Sequence, residues 1–325
     1  MAIRILAIDG GGIRGLIPAV VLESVESRTN RQAYELFDVI AGTSTGGILA
    51  AGLAIGVSAS DMVALYRDNG KNIFNSNILR KIACFVLGPE YAARNLEARL
   101  QEKLGDARLA DAKTGLLITS FDMRRGEAWF FRRQDAKDDP SDLARNCLLR
   151  EIARATSAAP TYFAPTQLSA SLRPDAVLVD GGVFANNPAM CALVDEREGA
   201  GGKIADVLML SLGTGSVPHP VTFSSTQWWG KIRWAQPAIG ALLDGQSDTV
   251  EFQLQQLLGG NQYLRLQTPL SLANEAMDNA SNDNIGALIK AATDMLKERD
   301  KDLSDFCKRV LASGPGTVAQ PVTAS

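Results

Sequence analysis

Two periods alternate along this chain. Short runs of branched apolar residues, Ile3-Arg-Ile-Leu-Ala-Ile8 and Phe37-Asp-Val-Ile-Ala41 first among them, are each followed by a longer stretch in which apolar side chains recur every three to four positions. The first habit suits a strand and the second a helix. The pattern predicts strands near 3–8, 37–41, 115–120, 176–180 and 206–212, with a further extended segment at 127–131. Helices fit 16–28, 45–56, 60–69, 92–104, 142–157, 187–196, 247–258 and 284–311, the last of them broken. Alternation of this kind describes an α/β fold, a mostly parallel central sheet covered by helices on both faces.

Two regions interrupt the alternation. Residues 72–91 carry Phe74, Ile78, Leu79, Ile82, Phe85, Val86 and Leu87 beside Arg80 and Lys81 in a short amphipathic stretch. Residues 217–246 hold Trp228, Trp229 and Trp234 next to Lys231 and Arg233. Aromatic residues with basic neighbours favour a membrane interface, yet the same side chains would serve equally to pack over the core or a subunit boundary. From Gly314 the chain turns to small and polar residues with two prolines, so one domain is expected over 1–312 and a disordered tail over 313–325.

Composition narrows the class. With 325 residues, 46% of them hydrophobic and 21% charged, the chain has the balance of an ordinary globular protein with a sizeable core. A net charge of −3 without an extended basic block argues against a nucleic-acid partner. No signal-peptide pattern opens the chain, and its most apolar stretch, Gly47 to Val57, is far too short to span a bilayer. A cytoplasmic protein, at most peripheral at the membrane, is expected. The four cysteines, Cys84, Cys147, Cys191 and Cys307, form no C-x-x-C pair, which argues against a metal site and for reduced, buried thiols.

The candidate chemistry lies on two strand-to-helix turns. In Gly42-Thr-Ser-Thr-Gly46 the glycines permit a sharp bend that would expose Ser44 above the positive end of the next helix. A serine hydroxyl attacks an acyl carbon only if a base takes its proton and donors stabilise the oxyanion. The earlier turn, Asp9-Gly-Gly-Gly-Ile-Arg-Gly15, offers donors: the amides of Gly10, Gly11 and Gly12 as an oxyanion hole, with Arg14 nearby for a phosphate or a developing negative charge. Its spacing also satisfies the G-x-G-x-x-G dinucleotide fingerprint, so a nucleotide-binding signalling module is the rival. That fingerprint wants an acid at the end of the second strand, where this chain has Ala41-Gly-Thr-Ser.

A base for Ser44 must come from elsewhere, and the chain has a single histidine, His219, in the proline-pinned Val217-Pro-His-Pro220. A Ser-His-Asp triad stays open, because triad members need not be adjacent. Asp180 is better placed, at the end of Ala176-Val-Leu-Val179 and the start of Asp180-Gly181-Gly182. An unperturbed aspartate, with a pKa of ~3.9, is too acidic for efficient work at neutrality, so burial would have to raise it. Asn186-Asn187-Pro188 reads as a helix cap, and Ser211-Leu-Gly-Thr-Gly-Ser216 as a structural strand-end turn.

The three motifs at 9–15, 42–46 and 180–182, in this order and spacing, resemble those of the patatin-like phospholipases, and the likeness extends to Asn261-Gln-Tyr-Leu-Arg265 and Met277-Asp-Asn-Ala-Ser281. The resemblance implies a patatin-like fold and a lipid acyl hydrolase of the phospholipase A or lysophospholipase type, with no metal or organic cofactor. It also implies a Ser44–Asp180 dyad, Gly10 to Gly12 as the oxyanion hole, and Gly15, Gly42, Gly46, Gly181 and Gly182 as motif glycines. Phospholipid or another acyl-lipid is then the expected substrate. A storage-type protein with residual esterase activity, as in plant patatins, and a cyclic-nucleotide activator, as in some bacterial relatives, both stay open.

Overall fold

The structure, a computed structural model, describes residues 2–73, 93–171, 173–199, 207–216, 223–270, 273 and 276–314. Its strands are β1 (Ile3–Ile8), β2 (Val39–Thr43), β3 (Gly115–Asp122), β4 (Glu127–Arg132), β5 (Leu178–Asp180), β6 (Val207–Leu212) and β7 (Tyr263–Leu266). They form one mixed sheet in the order β4-β3-β2-β1-β6-β7, with β5 paired to β3 off this path. The run from β3 to β7 is parallel throughout, whereas β4 and β5 are antiparallel to β3. The expected α/β architecture is therefore present.

The longer helices are α1 (Leu16–Thr29), α2 (Thr45–Ile55), α3 (Ala59–Ile73), α4 (Ala93–Leu104), α5 (Leu149–Thr156), α6 (Ala189–Gly199), α7 (Lys231–Leu257), α8 (Asn282–Glu298) and α9 (Asp300–Ala312). They cover both faces, and β1 shows why. Leu6 and Ile8 join one apolar cluster with residues of α1 to α5, α8 and α9, while Ile5 and Ala7 join a second with residues of α6 and α7. Successive strand residues point to opposite faces, so a strand buried on both sides is apolar on both, and the charged exception in β1, Arg4, is paired with Asp38.

Besides β7, which the sequence pattern does not predict, three elements differ from the expected pattern. The helix expected over 142–157 begins only at Leu149, because local side-chain bonds compete for the preceding backbone: Asp142 Oδ1 accepts the Ala144 N–H, and the Asn146 amide donates to the Pro140 carbonyl. The helix expected from 247 begins at Lys231 instead. Pro237 and Gly240, poor helix formers, disguise its first turns, which run into a segment anchored by Gln246 and Ser247. Third, β5 runs antiparallel to its neighbour, not parallel.

That last difference places the site. β2 pairs with β3 up to Thr43 opposite Thr119, while β4 occupies the other edge of β3 from Leu117 to Asp122. β5 pairs with β3 at Ser120 to Asp122, where β2 has already ended. The two strands thus share one lane and meet end to end, with Thr43 opposite Thr119 and Asp180 opposite Ser120. Ser44 and Asp180, 136 positions apart in sequence, are brought together by sheet register.

Candidate active site

Ser44 sits between β2 and α2 with φ 57° and ψ −123°, a conformation that a side-chain-bearing residue seldom adopts. Such strain persists only where the surroundings over-determine it. Here the Ser44 N–H donates to Thr156 Oγ1 at 2.7 Å, and the helix continues through Ile48 N–H to the Ser44 carbonyl. Gly46 makes the bend feasible: a Cβ there would stand 2.1 Å from the Ile8 carbonyl oxygen, so α2 can approach β1 only with glycine. Gly42 and Gly15 likewise abut the Gly46 backbone and the Thr45 side chain.

Asp180 is 5% exposed and lines the same cavity as Ser44. The Gly182 N–H donates to its Oδ1 at 2.7 Å, which holds the carboxylate orientation from the far side. Burial pushes its pKa up to about 7, against the smaller lowering effects of the Ser44 hydroxyl and of the Gly182 hydrogen bond. A carboxylate in this condition is available as a base near neutrality without being so weakly basic as an exposed aspartate. Gly181 packs against Thr119, and the Thr43 and Thr119 hydroxyls are hydrogen-bonded at 2.7 Å beneath the pair.

The glycine loop divides its labour. Gly10 donates its N–H to the Asn186 carbonyl at 3.1 Å, so this amide is committed to holding the loop and cannot serve the oxyanion hole expected of it. Gly11 and Gly12 line the cavity beside Ser44, and among the described residues neither N–H is given to a protein acceptor. The loop is fixed at several points: Thr214 Oγ1 donates to the Gly10 carbonyl at 2.7 Å, and the Ile13 N–H to the Met277 carbonyl at 2.8 Å. Gly12 has φ +61°, and a Cβ there would meet the Met277 oxygen at 2.1 Å. Arg14 is not in the cavity lining; its Nε donates back to the Gly11 carbonyl at 3.4 Å.

Beneath the loop lies a buried ion pair. Arg265 of β7 grips Asp9 with two nitrogens, Nη1 to Oδ1 at 2.9 Å and Nη2 to Oδ2 at 2.5 Å, and also donates to Ser211 Oγ at 2.9 Å. Burial disfavours the Arg265 charge, but Asp9 more than offsets this and holds the guanidinium protonated. In the sequence Arg265 is marked only by its family-like segment, and Asn186 only by the pattern of a helix cap. Asn187 does behave as one, accepting the Ala189 N–H at 3.0 Å, whereas Asn186 lines the cavity. His219, the aromatic stretch 74–91 and its Arg80 and Lys81 lie outside the described residues.

The cavity around Ser44 encloses about 200 Å³, room for roughly a dozen or more groups the size of a water molecule or a methylene. One wall is apolar, built from Ile48 of α2, Leu65 and Ile73 of α3, Leu96 and Leu100 of α4, and Phe163. Val183 with Ile239, Leu242 and Leu243 of α7 adds further apolar lining. Asp180 and Arg99 are its only charged lining side chains among the described residues. A slot of this kind takes an extended hydrocarbon and presents its polar end to a hydroxyl and a buried carboxylate.

The chain is similar to known proteins over most of its length. The model of the patatin-like phospholipase family matches residues 6–193. Patatin-like protein 1 of Oryza sativa subsp. indica is 35% identical over 91% of this chain and 82% of its own length. Patatin-2-Kuras 4 of Solanum tuberosum is 34% identical over 91% of this chain and 87% of its own. Among solved structures, VipD from Legionella pneumophila superposes with a TM-score of 0.45 at 13% identity, over 91% of this chain and 67% of that one.

Proposed function

We propose a mechanism that proceeds from one premise: the chain belongs to the patatin-like phospholipase family and is a lipid acyl hydrolase, a carboxylic ester hydrolase. In this reading Ser44 is the nucleophile and Asp180 its base, a dyad that uses no histidine. The observation that carries it is that strand register brings Ser44 into one apolar cavity with a buried carboxylate whose pKa is raised to about 7.

The steps follow from these positions. A lipid ester enters with its acyl chain between α2, α3 and α4. Ser44 Oγ forms a bond to the ester carbonyl carbon while Asp180 takes the hydroxyl proton. Negative charge moves to the carbonyl oxygen, where the Gly11 and Gly12 amides and the N-terminus of α2 favour it. As the acyl carbon–oxygen bond to the alcohol breaks, Asp180 returns the proton to the leaving oxygen. A water molecule, deprotonated by the same carboxylate, then attacks the acyl-enzyme and releases the fatty acid. Glycerophospholipids and lysophospholipids are the substrate class that this slot and family together favour, and another alcohol in place of water would give acyl transfer.

The pH dependence provides the test. Only the ionised carboxylate can accept a proton, so kcat/KM on a soluble ester should rise with pH, pass its midpoint near about 7 and level off above it. A rate that stays constant through neutrality would remove Asp180 as the base. Mass spectrometry of the products from a lipid panel, run with and without cyclic nucleotides, then identifies head group, acyl position and any dependence on an activator.

A further inference from the structure

One apolar surface remains unexplained by the site, and it is continuous with the cavity. Three residues that line the cavity, Val183, Ile239 and Leu242, are themselves exposed, the last of them at 64%. On α7 the residues Ile239, Leu242, Leu243 and Gln246 recur at helical spacing and so share the face that closes the cavity. Further exposed aromatics lie in the first turn of this helix and just before it in the chain: Trp234 at 44% exposure, Trp228 at 82% and Phe223 at 83%. Trp229 stacks edge-on against Trp234 with ring centroids 5.1 Å apart, which fixes the ridge. Lower down, Gln246 and Ser247 tie α7 to the turn that follows Asp180, through Val183 and Asn186.

Exposed aromatics on this scale are costly in water unless something covers them. Charge indicates what does. The segment from Phe223 to Leu243 contains no aspartate or glutamate and has two basic residues, Lys231 and Arg233, in a chain whose net charge is −3. The side chains of Lys231 and Arg233 lie outside the described ones, but their sequence positions put both within the first turn of α7. Tryptophan and phenylalanine partition to the boundary between lipid headgroups and acyl chains, and basic residues are drawn to anionic headgroups. Among the described residues no helix is long and apolar enough to cross a membrane, so contact through this ridge would be peripheral.

We infer that the ridge from Phe223 to Leu242 docks the protein on an anionic lipid surface and delivers a lipid from that surface directly to the cavity mouth. The inference rests on the lipid hydrolase reading and adds to it the physical state of the substrate: lipid in an assembled surface, not dispersed molecules. Because Ile239 and Leu242 belong both to the docking face and to the cavity wall, an acyl chain leaving the surface would stay in apolar surroundings on its way to Ser44.

Co-sedimentation with vesicles tests this on the full chain. Phe223 and Trp228 do not line the cavity, so the double variant Phe223→Ser/Trp228→Ser should hydrolyse a soluble short-chain ester at the wild-type rate. Its binding to phosphatidylcholine vesicles containing phosphatidylglycerol should fall about tenfold or more, together with its hydrolysis of the vesicle lipid. A Lys231→Gln/Arg233→Gln variant should lose the preference for vesicles with phosphatidylglycerol over vesicles without it. Unchanged vesicle binding in the aromatic variant would overturn the inference, as would an equal loss on the soluble ester. A concentration-dependent dimer that the aromatic substitutions abolish, without vesicle binding, would assign the ridge to a second copy of the chain. Wild-type protein that binds vesicles but cleaves no ester would overturn the dyad mechanism and leave the docking surface standing.

Discussion

Replacing Asp180 by asparagine should lower kcat by roughly 10²–10⁴-fold, with KM little changed and the fold intact. Asparagine has the shape of aspartate and can still accept from the Gly182 N–H, but it cannot take the Ser44 proton. The same substitution should stabilise the protein, which separates lost chemistry from lost structure. Burial raises the folded-state pKa of Asp180 to about 7 from its ordinary 3.8. Wild-type stability linked to this group is therefore complete below the unfolded value and is lost as pH rises through about 7. The variant lacks that loss, so its advantage in unfolding free energy should grow across this window to a figure on the order of 4 kcal/mol. Thermal or urea unfolding at acid and mildly alkaline pH measures it. A variant that is inactive and less stable at every pH would point to a structural role instead.

The second large effect concerns the support of the glycine loop. Arg265→Met should destabilise the fold by about 3–5 kcal/mol at neutral or higher pH, because it strands the Asp9 carboxylate in the interior. Asp9 is 1% exposed, and Arg265 is the source of both its side-chain ion-pair contacts. A lone buried carboxylate escapes by binding a proton, so the deficit should shrink as pH falls. The double variant Asp9→Asn/Arg265→Met removes the uncompensated charge and should recover most of the loss. Activity should fall with the single variant too, since Asp9 leads directly into Gly10 to Gly12. Denaturant titrations of the three proteins at two pH values decide the matter, and a single variant as stable as wild type would show the pair to be dispensable.

What could be read from the sequence follows a physical division between local and distant signals. β1, β2 and the helices after them were legible because each is a contiguous run with its own period, and the elbow at Ser44 announces itself through Gly42 and Gly46. Asp180 could be nominated from its motif, but not placed: its approach to Ser44 depends on β5 running antiparallel in the lane that β2 vacates, a matter of register between distant strands. Backbone hydrogen bonds are also invisible in sequence, so Gly10 could not be told from Gly11 and Gly12 until its N–H was found on the Asn186 carbonyl. Partners such as Arg265, Thr156 and Thr214 are single polar residues on otherwise unremarkable elements. One signal was available for Arg265: a guanidinium in the middle of Tyr263-Leu-Arg-Leu266, an apolar strand, implies a buried acid nearby.

The long first half of α7 was hidden for a different reason. Its glycine and proline speak against a helix, and its apolar side chains are only partly buried, so neither propensity nor pattern favours it strongly. Ile239, Leu242 and Leu243 of this half nevertheless line the cavity that holds Ser44.

Labelling with a fluorophosphonate probe, followed by peptide mass spectrometry, tests the central assignment most directly, because the probe requires a serine whose proton is being withdrawn. The adduct is expected on Ser44 of the wild-type protein, absent in Ser44→Ala, greatly slowed in Asp180→Asn and unchanged in His219→Ala. An adduct on a different serine, or labelling that persists without Asp180 and disappears without His219, would contradict the Ser44–Asp180 dyad.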